Sequence, residues 1–141
     1  GGTNRDYWCR ASVWFRWSGP VRRAVRILLA EDERTISRLI KQVLTNAGHE
    51  VVGVQSASEA VDHLEQSAFD LVLLDLNLAD GDGMRVVTAL ENHVGPKPPV
   101  VLMTGEGSIG ADDPRAQRVA RVLAKPFELD ELEALVRLFV A

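Results

Sequence analysis

The chain has 141 residues, 46% hydrophobic and 26% charged, which is enough for one domain with a single sizeable core and ordinary for a globular protein. It contains no apolar run of the roughly 18 residues that a spanning helix needs, and its one cysteine, Cys9, excludes an internal disulfide and fits a reducing cytoplasm. The formal charge of −4 is uneven: residues 1–26 carry six Arg against one Asp, a net of +5, leaving −9 on the rest, an acidic body ill suited to nucleic acid.

Residues 1–24 form an Arg- and Trp-rich extension in which Trp8, Trp14 and Trp17 alternate with Tyr7, Phe15 and arginines without a sustained period. It is expected to be disordered or left over from expression, since the chain opens on Gly1-Gly2 without Met. The folded domain is expected over residues 25–141. His49, His63 and His93 lack ligand spacing and read as surface or loop residues.

From Val25 the pattern is regular. Val25 to Ala30 is a compact apolar strand that stops at Glu31-Asp32-Glu33. The helix that follows places Ile36, Leu39, Ile40, Val43, Leu44 and Ala47 on one face, and Gly48 closes it as a left-handed C-cap. A second strand spans about residues 50–55, and Ser56 and Glu59 stand at capping-box spacing before a helix with Ala60, Val61 and Leu64 inward. The stretch Asp70 to Asp75 is a strand buried on both faces that ends on a carboxylate, followed by the Gly/Asp-rich loop Leu76 to Gly83. A third helix over Met84 to Glu91 turns Met84, Val87 and Leu90 inward, and after Gly95-Pro96-Lys97-Pro98-Pro99 the strand Val100 to Thr104 ends on a hydroxyl. Gly105, Gly107 and Gly110 make an irregular stretch in which a helix can begin only near Asp113-Pro114. Val122 to Ala124 is a short strand running into Lys125-Pro126-Phe127, and the last helix, about residues 129–140, turns Leu129, Leu132, Leu135, Val136 and Phe139 inward. Strands and helices alternate five times, the pattern of a parallel sheet covered on both faces.

In such a sheet the carboxyl ends of the strands share one edge, so Glu31, Asp32, Asp75, Thr104 and Lys125 converge there. Each has an ordinary reading as a cap, a turn residue or a surface charge. Together they are harder to dismiss, because three close carboxylates repel unless a cation neutralises them. Oxygen donors without imidazole or thiol favour a hard ion such as Mg²⁺. A lysine and a threonine beside that ion suit a phosphoryl group, and a carboxylate oxygen of Asp75 can attack phosphorus to give an aspartyl phosphate.

The landmarks Ile27-Leu-Leu-Ala-Glu31-Asp32-Glu33, Asp70-Leu-Val-Leu-Leu-Asp75 with Gly83 eight residues on, Val100-Val-Leu-Met-Thr104 and Lys125-Pro126-Phe127 resemble the receiver domain of two-component response regulators, over residues 26–140. The resemblance implies a flavodoxin-like (βα)5 doubly wound α/β fold with a five-stranded parallel sheet of order 2-1-3-4-5. It makes Asp75 the phosphoacceptor, with Asp32, the Asp75 carboxylate and the Asn77 backbone carbonyl as Mg²⁺ ligands and Glu31 acting through bound water. Thr104 and Lys125 hold the phosphoryl oxygens, and the Lys125-Pro126 peptide is cis. The implied partners are a sensor histidine kinase or histidine phosphotransfer protein and a downstream protein, with no nucleic acid or membrane contact by this domain. A cytoplasmic monomer or weak dimer, a phosphoacceptor rather than a conventional enzyme, is expected to signal by protein contact.

Four departures stand out. Glu31 replaces a commoner Asp, and Ala79 replaces a frequent proline, which is expected to loosen its turn. Val122 stands where the family keeps a Tyr or Phe, so the usual aromatic switch is missing. The fourth helix is poor in apolar periodicity. Asn77, Gly105 and Glu106, near Asp75 and Thr104, imply a short phosphoryl lifetime. Two rivals are a pseudo-receiver that binds partners without being phosphorylated and a haloacid dehalogenase-type phosphohydrolase; the latter requires a second Asp where Asn77 stands.

Overall fold

The computed structural model describes residues 25–105 and 109–140, so the expectations for residues 1–24 and for Glu106 lie outside the described residues. In chain order the elements are β1 (Arg26–Ala30), α1 (Arg34–Asn46), β2 (Glu50–Val54), α2 (Ala57–Gln66), β3 (Leu71–Asp75), the two short strands β4 (Asn77–Leu78) and β5 (Gly81–Asp82), and α3 (Met84–Glu91). They continue with β6 (Val100–Gly105), a 3-10 helix (Pro114–Arg118), β7 (Arg121–Lys125) and α4 (Leu129–Val140).

The five long strands form one parallel sheet in the order β2-β1-β3-β6-β7. This is the expected 2-1-3-4-5 order, because β6 and β7 are the fourth and fifth strands of that sheet. Side chains alternate along each strand and divide the core into two layers. Leu28, Val72, Leu74 and Leu102 pack with Ala57, Ala60, Met84, Val87 and Leu90 from α2 and α3. Ile27, Leu29, Leu71, Leu73, Val101 and Met103 pack on the other face with Ile40 and Leu44 of α1 and Leu132, Leu135 and Val136 of α4.

Local signals in the sequence act as expected at the end of α1 and the start of α2. Gly48 closes α1 with φ of 96°, a conformation that a side chain would strain. Ser56 Oγ accepts from the Glu59 N–H at 3.1 Å, and Glu59 reaches back to the Gln55 N–H at 3.0 Å, one residue before the cap itself.

Two local expectations need correction. The fourth connection begins at Asp113 and Pro114 as read, but it is a 3-10 helix of five residues without a buried side chain. Lacking an apolar stripe to bury, that segment gains too little from tertiary packing to hold a longer helix. The described residues therefore carry four α-helices, one fewer than the (βα)5 pattern. Leu39, expected inward, is 45% exposed, because it sits at the margin of the α1 stripe beside a surface groove shared with Ile36, Phe127 and Leu129. His63, expected at the surface or in a loop, stands half-buried on α2.

Candidate functional site

Each strand of the parallel sheet ends at the same edge, and four of those ends supply the polar groups. Glu31 directly follows β1, where its N–H donates to Val54 O at 3.0 Å. Its carboxylate is 1% exposed, accepting from Lys125 Nζ at 2.7 Å through Oε1 and from the Glu33 N–H at 3.1 Å through Oε2. Asp75 closes β3 and is also buried. Its Oδ2 accepts from the same Lys125 Nζ at 2.7 Å and its Oδ1 from the Asn77 N–H at 3.0 Å. Asp32 is exposed, and one oxygen from each of Glu31, Asp32 and Asp75 lies within 4.8 Å of the others.

Thr104 is buried one step beyond Met103, the register partner of Asp75, and its hydroxyl donates to Gly105 O at 2.8 Å. Lys125 ends β7 opposite Gly105, and the Lys125-Pro126 peptide is cis. The structure thus brings Glu31, Asp32, Asp75, Thr104 and Lys125 to one edge. Asn77 follows Asp75 as the first residue of a β4–β5 hairpin, pairing with Asp82.

The electrostatics follow from burial. Burial pushes the Glu31 carboxyl above its usual range; the hydrogen bond from Lys125 opposes this, while the neighbouring Asp75 adds to it. Burial acts to lower Lys125, but hydrogen bonds to Asp75 and Glu31 outweigh it and the ammonium is raised. The lysine is therefore held charged between two acids. Three carboxylates without imidazole or thiol fit a hard divalent cation, with Asp32 on the solvent side.

Sequence reading missed three features of this site. Glu31, expected to reach the metal through bound water, also accepts from Lys125 through Oε1 and from the Glu33 N–H through Oε2, contacts that local pattern does not disclose. The Gly/Asp-rich loop after Asp75 is a two-stranded hairpin, and its Asp80 reaches Ala57 of α2, 23 residues away, beyond any local pattern. Ala79 does not simply loosen the turn: its N–H donates to Gln55 O at 3.1 Å, a bond that proline has no hydrogen to make.

The family model for the response regulator receiver domain matches residues 27–137. This chain belongs to the response regulator receiver family. The receiver domain is 37% identical over 114 residues to the response regulator protein FleR of Pseudomonas aeruginosa, covering 80% of this chain and 24% of that protein. It is 32% identical over 108 residues to the response regulator receiver protein CpdR of Brucella abortus, covering 76% of this chain and 89% of CpdR. Among curated relatives the chain therefore spans about a quarter of FleR but most of CpdR. The solved structure of NtrX from Brucella abortus superposes with a TM-score of 0.74 at 29% identity, covering 84% of this chain and 27% of NtrX. A CheY-like receiver domain from Methylobacillus flagellatus superposes with a TM-score of 0.73 at 23% identity, covering 83% of this chain and 99% of that one. In this receiver domain Val122 is half-buried on β7, paired in register with Leu102 and packed against the layer formed with α2 and α3.

Proposed function

We propose that Asp75 is the phosphoacceptor of a two-component phosphorelay and takes its phosphoryl group from the phosphohistidine of a sensor histidine kinase or histidine phosphotransfer protein. The observation that carries this reading is Lys125 Nζ at 2.7 Å from both Asp75 and Glu31, at the edge where three carboxylates meet. Asp32, Asp75 and the Asn77 backbone carbonyl would hold Mg²⁺, with Glu31 contributing through bound water. When bound, the ion neutralises charge between these acids and the incoming phosphoryl oxygens. An Asp75 carboxylate oxygen forms the bond to phosphorus as the P–N bond breaks, and the imidazole leaves with the electron pair and is protonated. Lys125 holds a phosphoryl oxygen by charge, and Thr104 does so by turning its hydroxyl from Gly105 O.

In this reading residues 25–141 are the receiver and residues 1–24 an extension. The domain is not a conventional enzyme; it works in the cytoplasm, as a monomer or weak dimer, by changing its contacts with a downstream protein. Val122 offers no ring to swing when Thr104 moves, so output proceeds without an aromatic switch. Asn77 and Gly105 beside the site, with Glu106, give the phosphoryl group a short lifetime; an autodephosphorylation half-life of many hours would contradict that part.

The test is intact mass after incubation with acetyl phosphate and Mg²⁺. A single phosphoryl adduct, absent from Asp75→Ala and from a Mg²⁺-free sample, is expected. No adduct on a folded protein overturns the reading in favour of a receiver fold that binds partners without phosphorylation.

A further inference from the structure

We propose that Asp80 is a positioning residue: it clamps the hairpin that follows Asp75 onto the start of α2, and so couples metal binding to that helix. The inference rests on the reading that the Asn77 carbonyl is a metal ligand.

The first N–H groups of a helix have no acceptor within it. In α2, Ser56 Oγ takes the Glu59 N–H, which leaves those of Ala57 and Ser58. Both are taken by Asp80: Oδ1 accepts from Ala57 N at 2.7 Å, and Oδ2 accepts from Ser58 N at 3.1 Å and from Ser58 Oγ at 3.0 Å. A carboxylate there also suits the positive end of the helix dipole. The preceding residue is fixed to the same junction, since Ala79 N–H donates to Gln55 O at 3.1 Å. From the other side, Arg85 of α3 reaches Asp80 Oδ2 at 3.2 Å.

Asp80 lies in the turn of a very short ribbon. Its pairs are Asn77 with Asp82 and Leu78 with Gly81, and its base is the Asn77 N–H on Asp75 Oδ1. A two-stranded ribbon of this size is not stable alone and takes its order from what it packs against. Only one residue pair, Leu78 with Gly81, separates the clamped turn from Asn77. A shift at Asp80 therefore reaches the Asn77 carbonyl, and a metal that fixes this carbonyl steadies the α2 cap, since coupling between two sites is reciprocal.

The test is calorimetric titration of the full chain with Mg²⁺, for wild type, Asp80→Ala, Asp80→Asn and the remote cap variant Asp113→Ala. Hydrogen exchange at the Ala57 and Ser58 amides is followed with and without the ion. Asp80→Ala is expected to weaken Mg²⁺ binding about tenfold, the low end for loss of an outer support of a metal site. Asp80→Asn, which keeps an acceptor oxygen, falls in between, and Asp113→Ala binds as wild type. Mg²⁺ slows exchange at both amides in wild type but not in Asp80→Ala. Wild-type affinity in Asp80→Ala and Asp80→Asn, with only a lowered Tm, overturns the proposal and leaves Asp80 a helix cap. Absence of Mg²⁺ binding in wild type overturns the metal reading itself and this coupling with it, an outcome distinct from the previous one.

Discussion

Lys125 and Glu31, 94 positions apart in the chain, meet at 2.7 Å, and the same ammonium nitrogen touches Asp75. Because Glu31 is 1% exposed, Lys125→Met leaves its charge buried beside that of Asp75. The expected loss of metal-free stability is about 1–3 kcal/mol. It falls below the roughly 3–5 kcal/mol of a fully buried pair, since the lysine side chain is 22% exposed. Mg²⁺ recovers part of the loss by replacing the missing positive charge. Urea unfolding with and without Mg²⁺ measures both effects, and unchanged midpoints would show that the ammonium does not hold the acids together.

Gly83 is needed for space. Its φ of −62° is open to any residue, but a Cβ built there would fall on the carbonyl oxygen of Asp75. Gly83→Ala must push β3's end away from α3, at an expected cost of about 1–3 kcal/mol, as for other overpacked positions. A denaturant midpoint equal to that of wild type would mean the hairpin gives way without cost.

Acid sensitivity isolates the tertiary cap on α2. The Asp80 carboxyl is held at about 2, below its ordinary 3.8, chiefly by the Ala57 N–H. A carboxyl lowered on folding binds fewer protons in the native state, so its stabilisation is whole above pH 3.8 and lost as pH falls through about 2. The stability gap between wild type and Asp80→Asn should therefore narrow across that window in urea titrations at successive pH values. Asp113, also held at about 2 by Arg115, should give a smaller change, because a pair two residues apart survives in part in the unfolded chain.

Arg118 anchors the short fourth connection to α3, donating to both Glu91 oxygens at 2.9 and 2.7 Å and to Thr88 Oγ1 at 3.0 Å. These groups face solvent, so Arg118→Ala should leave global unfolding nearly unchanged. Exchange of the Ala116 and Ala120 amides should rise several-fold, since local opening is governed by local anchors. A large drop in the global midpoint with no local change would contradict this.

The fold was legible in the sequence because its signals are local. Apolar runs such as Leu71 to Leu74 are strands whose side chains are buried on both faces, and their alternation with helical stripes dictates a parallel sheet. Strand ends in such a sheet share an edge, so Glu31, Asp32, Asp75, Thr104 and Lys125 could be brought together on paper. Only the tertiary structure decided what each group touches. Glu31 turns to Lys125, Asp80 caps a helix that begins 23 residues before it, and Ala79 spends its N–H on Gln55. Among its described residues the fourth connection forms a short 3-10 helix for want of apolar residues to bury. Periodicity records which face of an element is buried, whereas hydrogen bonds between distant side chains depend on distances set only when the elements have packed.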